Sequence, residues 1–273
     1  MADTATTDGL PHVIPIGAND GLFWLGHSSF LIRRGRSAML TDPVFSERPD
    51  IRYGLRLKRL TAPHPGLDRL AGITAIVISH DHADHFDVQT LKALAIRFPA
   101  AELVVPAGTE RTAAKAGFAR VRPVAPWNTV EAGGFRLTAL PARHVGRRFL
   151  GLIPSSAFAW EIDGAGPRIF FSGDTAYGPH FGEIRRRRGR FDVALVAVGG
   201  YGPELALNHM HMTPDQAIQA AADLGARIAI GHHWGTFPMG AEDPADMRRR
   251  FTAAARQDTR PLLLDMGGRY PLR

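Results

Sequence analysis

The 273-residue sequence contains no cysteine, which excludes disulfide bonds, thiolate nucleophiles and sulfur-ligated zinc. Any metal site must therefore use nitrogen and oxygen ligands. The N-terminal stretch lacks a basic segment followed by an apolar one, and no run approaches the ~20 apolar residues of a membrane span. These absences favour a cytoplasmic protein.

Basic residues outnumber acidic ones, 33 against 26, which gives a net charge of +7. This balance favours an anionic substrate or partner, such as a phosphate ester or an acidic lipid surface. The run Arg185–Arg188 is equally consistent with a solvated helix face. Aromatic residues do not alternate with the basic ones, so no nucleic-acid partner is expected.

Apolar strands alternate with amphipathic helices along the chain. Residues 22–43 indicate two strands joined by a turn at Gly35, and 73–79 a strand buried on both faces. Further strands are predicted in AELVVPAG, GFRLTALPA, SAFAWEID, RIFFSGD, FDVALVAVGG and ARIAIGHHW, and helices in DVQTLKALAIRF, TERTAAKAG, TPDQAIQAAADLG and DPADMRRRFTAAARQ. With no repeat or linker, this order predicts one α/β domain over 1–273, with its core at about 22–265.

Histidine and aspartate gather where the predicted strands end. A single histidine at such a place is usually a hydrogen-bonded loop residue. Four strand ends with these residue types instead indicate two divalent cations about 3.5 to 4 Å apart, which can activate a water between them. Zinc suits a nitrogen-rich site without sulfur, and manganese or iron would accept the same ligands. The residues are His80, His82, Asp84 and His85; His144; Asp174; and His232 and His233.

The stretch HDHADH resembles the HxHxDH signature of the metallo-β-lactamase superfamily, and the later histidines and aspartate follow in that superfamily's order. Other stretches resemble one branch, the phospholipases D that hydrolyse N-acylphosphatidylethanolamine and their bacterial relatives: WLGHSSFLI, LTDPVFSER, FFSGDTAYGPHFGEI, GRFDVALVAVGGY, HMTPDQA and HHWGTF. The resemblance runs from about Phe23 to Phe237. It implies a four-layer αββα sandwich with a dinuclear metal site.

The resemblance also implies a ligand set. It assigns the first metal to His80, His82 and His144, the second to Asp84, His85 and one histidine of GHHWGTF, and the bridge to Asp174. Adjacent residues of a strand face opposite ways, so only one of His232 and His233 faces inward. The superfamily's ligand stands directly before the aromatic-Gly-Thr run, and this selects His233.

Further residues match the family's supporting and catalytic positions. His27 and Asp42 would orient imidazoles or bind substrate, although a purely structural His27 is an equal alternative. His211 would protonate the leaving group or stabilise a phosphoryl oxygen. His209 could do so in another register but is expected to be structural. Three other histidines match no ligand position and are expected in loops or at the surface: His12, His64 and His180.

The resemblance implies a metal-dependent hydrolase with two Zn²⁺. A phosphodiesterase acting on a phospholipid-like or small phosphodiester by attack of a metal-bridged hydroxide is favoured. A lactonase or other carboxylic ester or thioester hydrolase is the alternative. Cations near the metals would favour the phosphodiester, and Arg143, Arg147 and Arg148 are candidates, although such residues more commonly lie in a surface loop. A non-catalytic metal- or nucleic-acid-binding protein is a minor alternative. Peripheral membrane contact and homo-oligomers are compatible with the sequence.

Overall fold

The computed structural model describes residues 20–52, 55–56, 58–63, 65–144, 146–148, 153–155, 157–202, 209–239, 242–256 and 258–272. His12 and His64 lie outside these residues. In chain order the strands are β1 (Gly21–Gly26), β2 (Ser29–Arg34), β3 (Ser37–Thr41), β4 (Asp50–Arg52), β5 (Leu55–Arg56), β6 (Ala75–Val77), β7 (Glu102–Pro106), β8 (Arg120–Val124), β9 (Thr129–Ala132), β10 (Phe135–Pro141), β11 (Gly146–Arg148), β12 (Ile153–Ser155), β13 (Phe158–Asp163), β14 (Ile169–Phe171), β15 (Val193–Ala197), β16 (Ile228–His232), β17 (Arg260–Leu262) and β18 (Arg269–Pro271).

The helices are α1 (Val88–Arg97), α2 (Glu110–Ala113), α3 (His180–Arg188), α4 (Pro214–Asp223) and α5 (Pro244–Ala253). Helix α4 begins at a capping box, in which Thr213 and Gln216 satisfy each other's backbone N–H groups. Asp87 caps α1 by accepting from the N–H of Gln89. No helix in the described ranges is long and apolar enough to cross a bilayer.

Two seven-stranded sheets form the centre of the fold. The first has the order β18-β1-β2-β3-β6-β7-β8 and the second the order β17-β16-β15-β14-β13-β10-β9. In the first sheet β18, β1, β2 and β3 are antiparallel neighbours, and β3, β6, β7 and β8 are parallel. In the second sheet β9, β10, β13 and β14 are antiparallel neighbours, and β14, β15, β16 and β17 are parallel.

Three apolar clusters separate four layers. One lies between the sheets and includes Trp24, Phe30 and Trp160. The second packs α1 on the outer face of the first sheet, and the third packs α3, α4 and α5 on the outer face of the second. The expected four-layer αββα sandwich is therefore confirmed. The extent of the domain stays a prediction.

The structure corrects some expected elements. The segment expected as one strand at 22–34 is a hairpin of β1 and β2, because Gly26 and His27 have φ values of +107° and +50° and turn the chain. The helix expected in TERTAAKAG is only a short α2 followed by a 3₁₀ turn at Ala114–Ala116. His180, expected in a loop or at the surface, is the buried first residue of α3, where it packs against Phe181.

Candidate metal centre

The ligand-type residues lie at one edge of the two sheets. Strands β1, β3 and β6 run in one direction in the first sheet, and β10, β14 and β16 share a direction in the second. Their carboxyl ends open into the crevice where α/β sheets commonly place functional groups. The residues that follow these ends are His27, Asp42, His80, His144, Asp174 and His233.

The segment between β6 and α1 forms a tight turn. Its backbone folds back on itself, since the N–H groups of His85 and Phe86 both donate to the carbonyl of His82, at 3.0 and 2.6 Å. The turn ends at the N-cap Asp87. This turn places four side chains on the crevice, in the way that the sequence spacing predicts: His80, His82, Asp84 and His85.

Three imidazoles form a first group, His80, His82 and His144, close enough to share a metal ion. Nδ1 of His82 lies 3.0 Å from Nε2 of His80 and 3.2 Å from Nε2 of His144. Burial lowers the pKa of His80 well below its usual value and that of His144 to about 4. Both rings are therefore neutral near pH 7, which is the form that binds metal.

Hydrogen bonds determine which ring nitrogen of His80 and of His144 carries no proton. The Nδ1 of His144 donates to the carbonyl of Met210 at 2.9 Å, which leaves the lone pair on Nε2. Ser79 Oγ donates to Asp42 at 2.6 Å, so at 2.9 Å from His80 it accepts the Nδ1 proton of that ring. The Nε2 lone pairs of His80 and His144 thus face the same point, as ligands of one cation do.

A second group surrounds the carboxylate of Asp84. Its Oδ2 lies 3.2 Å from Nε2 of His27, 3.6 Å from Nε2 of His85 and 3.7 Å from Nε2 of His233. Burial favours the neutral form of His85 and His233, but the Asp174 and Asp84 carboxylates outweigh it. They raise the pKa of His85 well above its usual value and that of His233 to about 9. This part of the crevice stabilises positive charge.

Asp174 lies between the groups. Its Oδ2 is 3.2 Å from Nε2 of His85, 3.3 Å from Nε2 of His233 and 4.0 Å from Nε2 of His80. Burial alone would raise the pKa of Asp174, but the imidazoles of His233 and His85 hold it well below its usual range. The carboxylate is therefore charged, and it faces both groups from one position.

Several buried atoms of the crevice have no hydrogen-bond partner among the described residues. Each unsatisfied buried polar atom costs about 1–3 kcal/mol, so several of them in one place indicate a missing partner. Imidazole nitrogens and carboxylate oxygens are the ligands that divalent transition metals accept, and binding of a cation would displace the protons of His85 and His233, so the residues fit a metal. The atoms are Nε2 of His85, Oδ1 of Asp174, Nδ1 of His211 and both ring nitrogens of His233.

Asp42 holds two of the histidines in place. Its carboxylate accepts hydrogen bonds from the N–H of Ser79 at 2.7 Å and from Nδ1 of His85 at 2.7 Å. Through the hydroxyl of Ser79 it also orients His80. Ser79 was not expected from the sequence, although its position directly before HDHADH is a usable signal.

The backbone of His27 is held by hydrogen bonds to the segment that follows β16. Its N–H donates to Oγ1 of Thr236 at 2.6 Å, and its carbonyl accepts from the N–H of His233 at 3.0 Å. Burial lowers the pKa of His27 to about 3, so the neutral ring donates a hydrogen bond to Asp84. The structure thus brings His27 into contact with the second group.

The two predicted candidates for proton transfer lie differently. His211 is buried, with its Nδ1 3.9 Å from Oδ2 of Asp174 and its ring 5.3 Å from those of His144 and His233. His209 is exposed. The structure therefore brings His211, and not His209, to the centre.

His232 and Arg143 make their contacts outside the crevice. His232 faces the interior between Phe30 and Phe171. Arg143 is exposed, and its guanidinium donates to the carbonyl of Tyr177 at 2.9 Å. The side chains of Arg147 and Arg148 lie outside the described part of the protein.

Comparison with known proteins agrees with this geometry. Residues 38–234 match the family described as the β-lactamase superfamily domain. The chain belongs to the β-lactamase superfamily. Relatives in this superfamily include metal-dependent hydrolases, and the two groups of histidine and aspartate described above are able to bind metal.

Relatives within the superfamily include an uncharacterized protein of Mycobacterium tuberculosis, which is 33% identical over 85% of this chain and 63% of its own length. The chain thus spans less than two thirds of that relative. The N-acyl-phosphatidylethanolamine-hydrolyzing phospholipase D 1 of Caenorhabditis elegans is 30% identical over 92% of this chain and 76% of its own length.

Among solved structures, a "possible metal-dependent hydrolase" from Veillonella parvula has a TM-score of 0.76 at 17% identity, covering 93% of this chain and 100% of its own. Igni18, a metallo hydrolase from Ignicoccus hospitalis, has a TM-score of 0.67 at 21% identity, covering 92% and 97%. At these identities the likeness shows the fold.

Proposed function

We propose that the protein is a dinuclear metal-dependent phosphodiesterase, acting on a phospholipid-like or a small phosphodiester. The observation that carries the proposal is the position of Asp174, whose one carboxylate lies between the two groups of imidazoles. The first metal would be held by His80, His82 and His144, and the second by Asp84, His85 and His233. Asp174 faces both sets and would serve as a ligand to each. Zinc is the metal that this nitrogen-rich, sulfur-free set favours.

Bound there, the two cations would supply Lewis acidity and a water of lowered pKa. The chain's own residues would orient the reaction. Asp42 keeps His85 and, through Ser79, His80 at fixed angles, so the ligands need no rearrangement. Burial of most of the centre excludes bulk water, and the crevice opens near the half-buried His82.

His211 would contact the phosphoryl group. Burial lowers its pKa to about 3, so the ring is neutral near pH 7 and has one N–H to donate. A neutral imidazole beside the centre is suited to donate a hydrogen bond to a phosphoryl oxygen as charge develops. In this form it stabilises the oxygen rather than delivering a proton from an imidazolium.

The choice of a phosphodiester rests on the relatives and on charge. Relatives from Caenorhabditis elegans and Saccharomyces cerevisiae are named N-acyl-phosphatidylethanolamine-hydrolyzing phospholipases D, each 30% identical to this chain. The net charge of +7 favours an anionic substrate.

The test is hydrolysis of bis(p-nitrophenyl) phosphate by zinc-loaded protein, with bound zinc counted by elemental analysis. Asp84→Ala should lose one zinc and at least 100-fold in turnover, since Asp84 belongs to the second group. The matched control is His209→Ala, an exposed change in the same segment as His211, which should leave both values unchanged.

A simple lactone and a p-nitrophenyl ester are run alongside the phosphodiester. Hydrolysis of these with no phosphodiester turnover would keep the metal centre and contradict the substrate class. Binding of fewer than two zinc ions by the unmodified protein would contradict the dinuclear site.

A further inference from the structure

The ring of His232 joins the two sheets beneath the candidate metal centre. Its Nδ1 lies 3.1 Å from Oγ of Ser28, in the turn between β1 and β2, and its Nε2 lies 3.2 Å from Oγ of Ser172, directly after β14. The imidazole and both hydroxyls are fully or almost fully buried, and the ring packs between Phe30 of the first sheet and Phe171 of the second.

The direction of each hydrogen bond follows from the contacts of Ser172. Its hydroxyl donates to the carbonyl of Gly173 at 2.6 Å and therefore accepts the proton of His232 Nε2. The neutral ring then has only a lone pair at Nδ1, which accepts the hydroxyl proton of Ser28. One directed chain of bonds runs from Ser28 through His232 to Gly173, and it leaves no polar atom of the ring unsatisfied.

Three residues of this hydrogen-bond series are next in sequence to residues of the metal centre. Ser28 follows His27, His232 precedes His233, and Gly173 precedes Asp174. The backbone carries the same connection, since His233 donates its N–H to the carbonyl of His27 at 3.0 Å. The bonds of His232 therefore act on three strand ends that place ligand-type side chains.

A role in packing alone does not account for this residue. A buried polar ring between two phenylalanines costs free energy unless both nitrogens are bonded, and an apolar side chain would fill the same space without that requirement. The hydrogen bonds instead fix the distance and the angle between the turn after β1 and the ends of β14 and β16.

We propose that His232 is a positioning residue of the metal centre, which sets His27, Asp174 and His233 relative to one another through Ser28 and Ser172. The inference rests on the proposed metal centre, but not on its substrate. Residues that orient metal ligands typically change metal affinity 10- to 100-fold when they are replaced.

The experiment measures the dissociation constant of Zn²⁺ by competition with a chromogenic chelator, together with the thermal midpoint of the metal-free protein. His232→Leu removes both hydrogen bonds and should weaken Zn²⁺ binding by at least about 10-fold. His232→Asn keeps an oxygen near the position of Nδ1, so the bond from Ser28 is retained and part of the affinity should return.

The matched control is Ile230→Ala, on the same strand and in the same apolar cluster between the sheets. It should lower the thermal midpoint at least as far as His232→Leu while leaving the Zn²⁺ dissociation constant within about twofold. Equal losses of affinity in the two variants would reduce His232 to a packing residue and overturn the proposal, as would wild-type affinity in His232→Leu.

If His232→Leu does not fold, Ser172→Ala and Ser28→Ala are compared, because each removes one hydroxyl that bonds to His232 and takes away little volume, and Ser172 also accepts from the N–H of Ala197 at 3.1 Å. An unchanged Zn²⁺ dissociation constant in either variant would overturn the proposal, and a loss of several-fold in both supports it. Absence of Zn²⁺ binding by the unmodified protein would overturn this inference and the metal centre together. Failure of phosphodiester turnover alone would affect only the proposed function.

Discussion

Single histidines of this protein differ in charge because their surroundings differ. Burial lowers the pKa of His27, His80 and His144, whereas nearby carboxylates outweigh burial and raise it at His85 and His233. The sequence predicts which residues gather, because each follows an apolar strand. It does not predict the proton positions, since these depend on Ser79 and on the carbonyl of Met210, which are brought close only by the fold.

The effect of burial on a histidine pKa can be tested at His180, which lies outside the metal centre. Burial, together with the nearby Arg143, lowers its pKa to about 4, against about 6.5 in an unfolded chain. Because the unfolded state binds the proton first, this group contributes no pH dependence above about 6.5 and lowers stability as the pH falls from there towards 4. His180→Leu should therefore reduce the slope of unfolding free energy against pH in this window by up to one proton, about 1.4 kcal/mol per pH unit.

The slope is measured by urea unfolding of the metal-free protein between pH 4 and 7. His209→Leu, at an exposed histidine, should leave the slope unchanged. An unaltered slope in His180→Leu would mean that the pKa of His180 is the same in the folded and the unfolded protein.

At the scale of elements, the sequence patterns predict the buried strands and the capped helices, but they do not predict the edge strands β8 and β9. Strand β8 has a largely exposed pattern, and β9 is short and half exposed, so neither shows the apolar run that marks β6 or β15. The hairpin of β1 and β2 is not predicted either, because Gly26 alone is a weak turn signal and His27, the second residue with a positive φ, is of a type that rarely adopts the left-handed region.

A substitution at Gly173 tests how closely the segment between β14 and Asp174 packs against Ser79. Gly173 has a φ of +52°, and a Cβ there would lie 2.4 Å from Cβ of Ser79 at the end of β6. Gly173→Ala should therefore lower the free energy of unfolding by about 2–4 kcal/mol, from backbone strain and overpacking together.

The matched control for this junction is Gly35→Ala, with a φ of +55° and no atom within 4 Å of its Cβ position. It should cost only the strain, about 1 kcal/mol. Urea unfolding measures both, and equal losses would show that Ser79 moves aside without cost.

At the scale of the whole molecule, both sheets have the same succession of antiparallel and parallel strands. The centre lies where the carboxyl ends of strands from both sheets open into one crevice. The resemblance of motif order to the superfamily was sufficient to predict this architecture. No sequence motif predicts that β18 pairs with β1. This pairing joins residues far apart in the sequence, and β18 is only three residues long.

Removal of metal should destabilise the entire fold, because the ligands come from both sheets. A ligand present at 1,000 times its dissociation constant stabilises the folded state by about 4 kcal/mol per site. Chelation should therefore lower the thermal midpoint by on the order of 10 °C, and added zinc should restore it.

Differential scanning calorimetry with and without a chelator measures this shift. Asp174→Ala should show a much smaller shift than the unmodified protein, because Asp174 faces both groups. Equal midpoints with and without chelator in the unmodified protein would contradict a metal that links the sheets.

The distribution of ligands also determines how the halves of the molecule are joined. His80 and His82 belong to the first sheet and His144 to the second, while Asp84 and His85 belong to the first and His233 to the second. Neither half holds all three ligands of either group. A cation in each group would thus be a cross-link between two halves of a chain that has no cysteine to form one covalently.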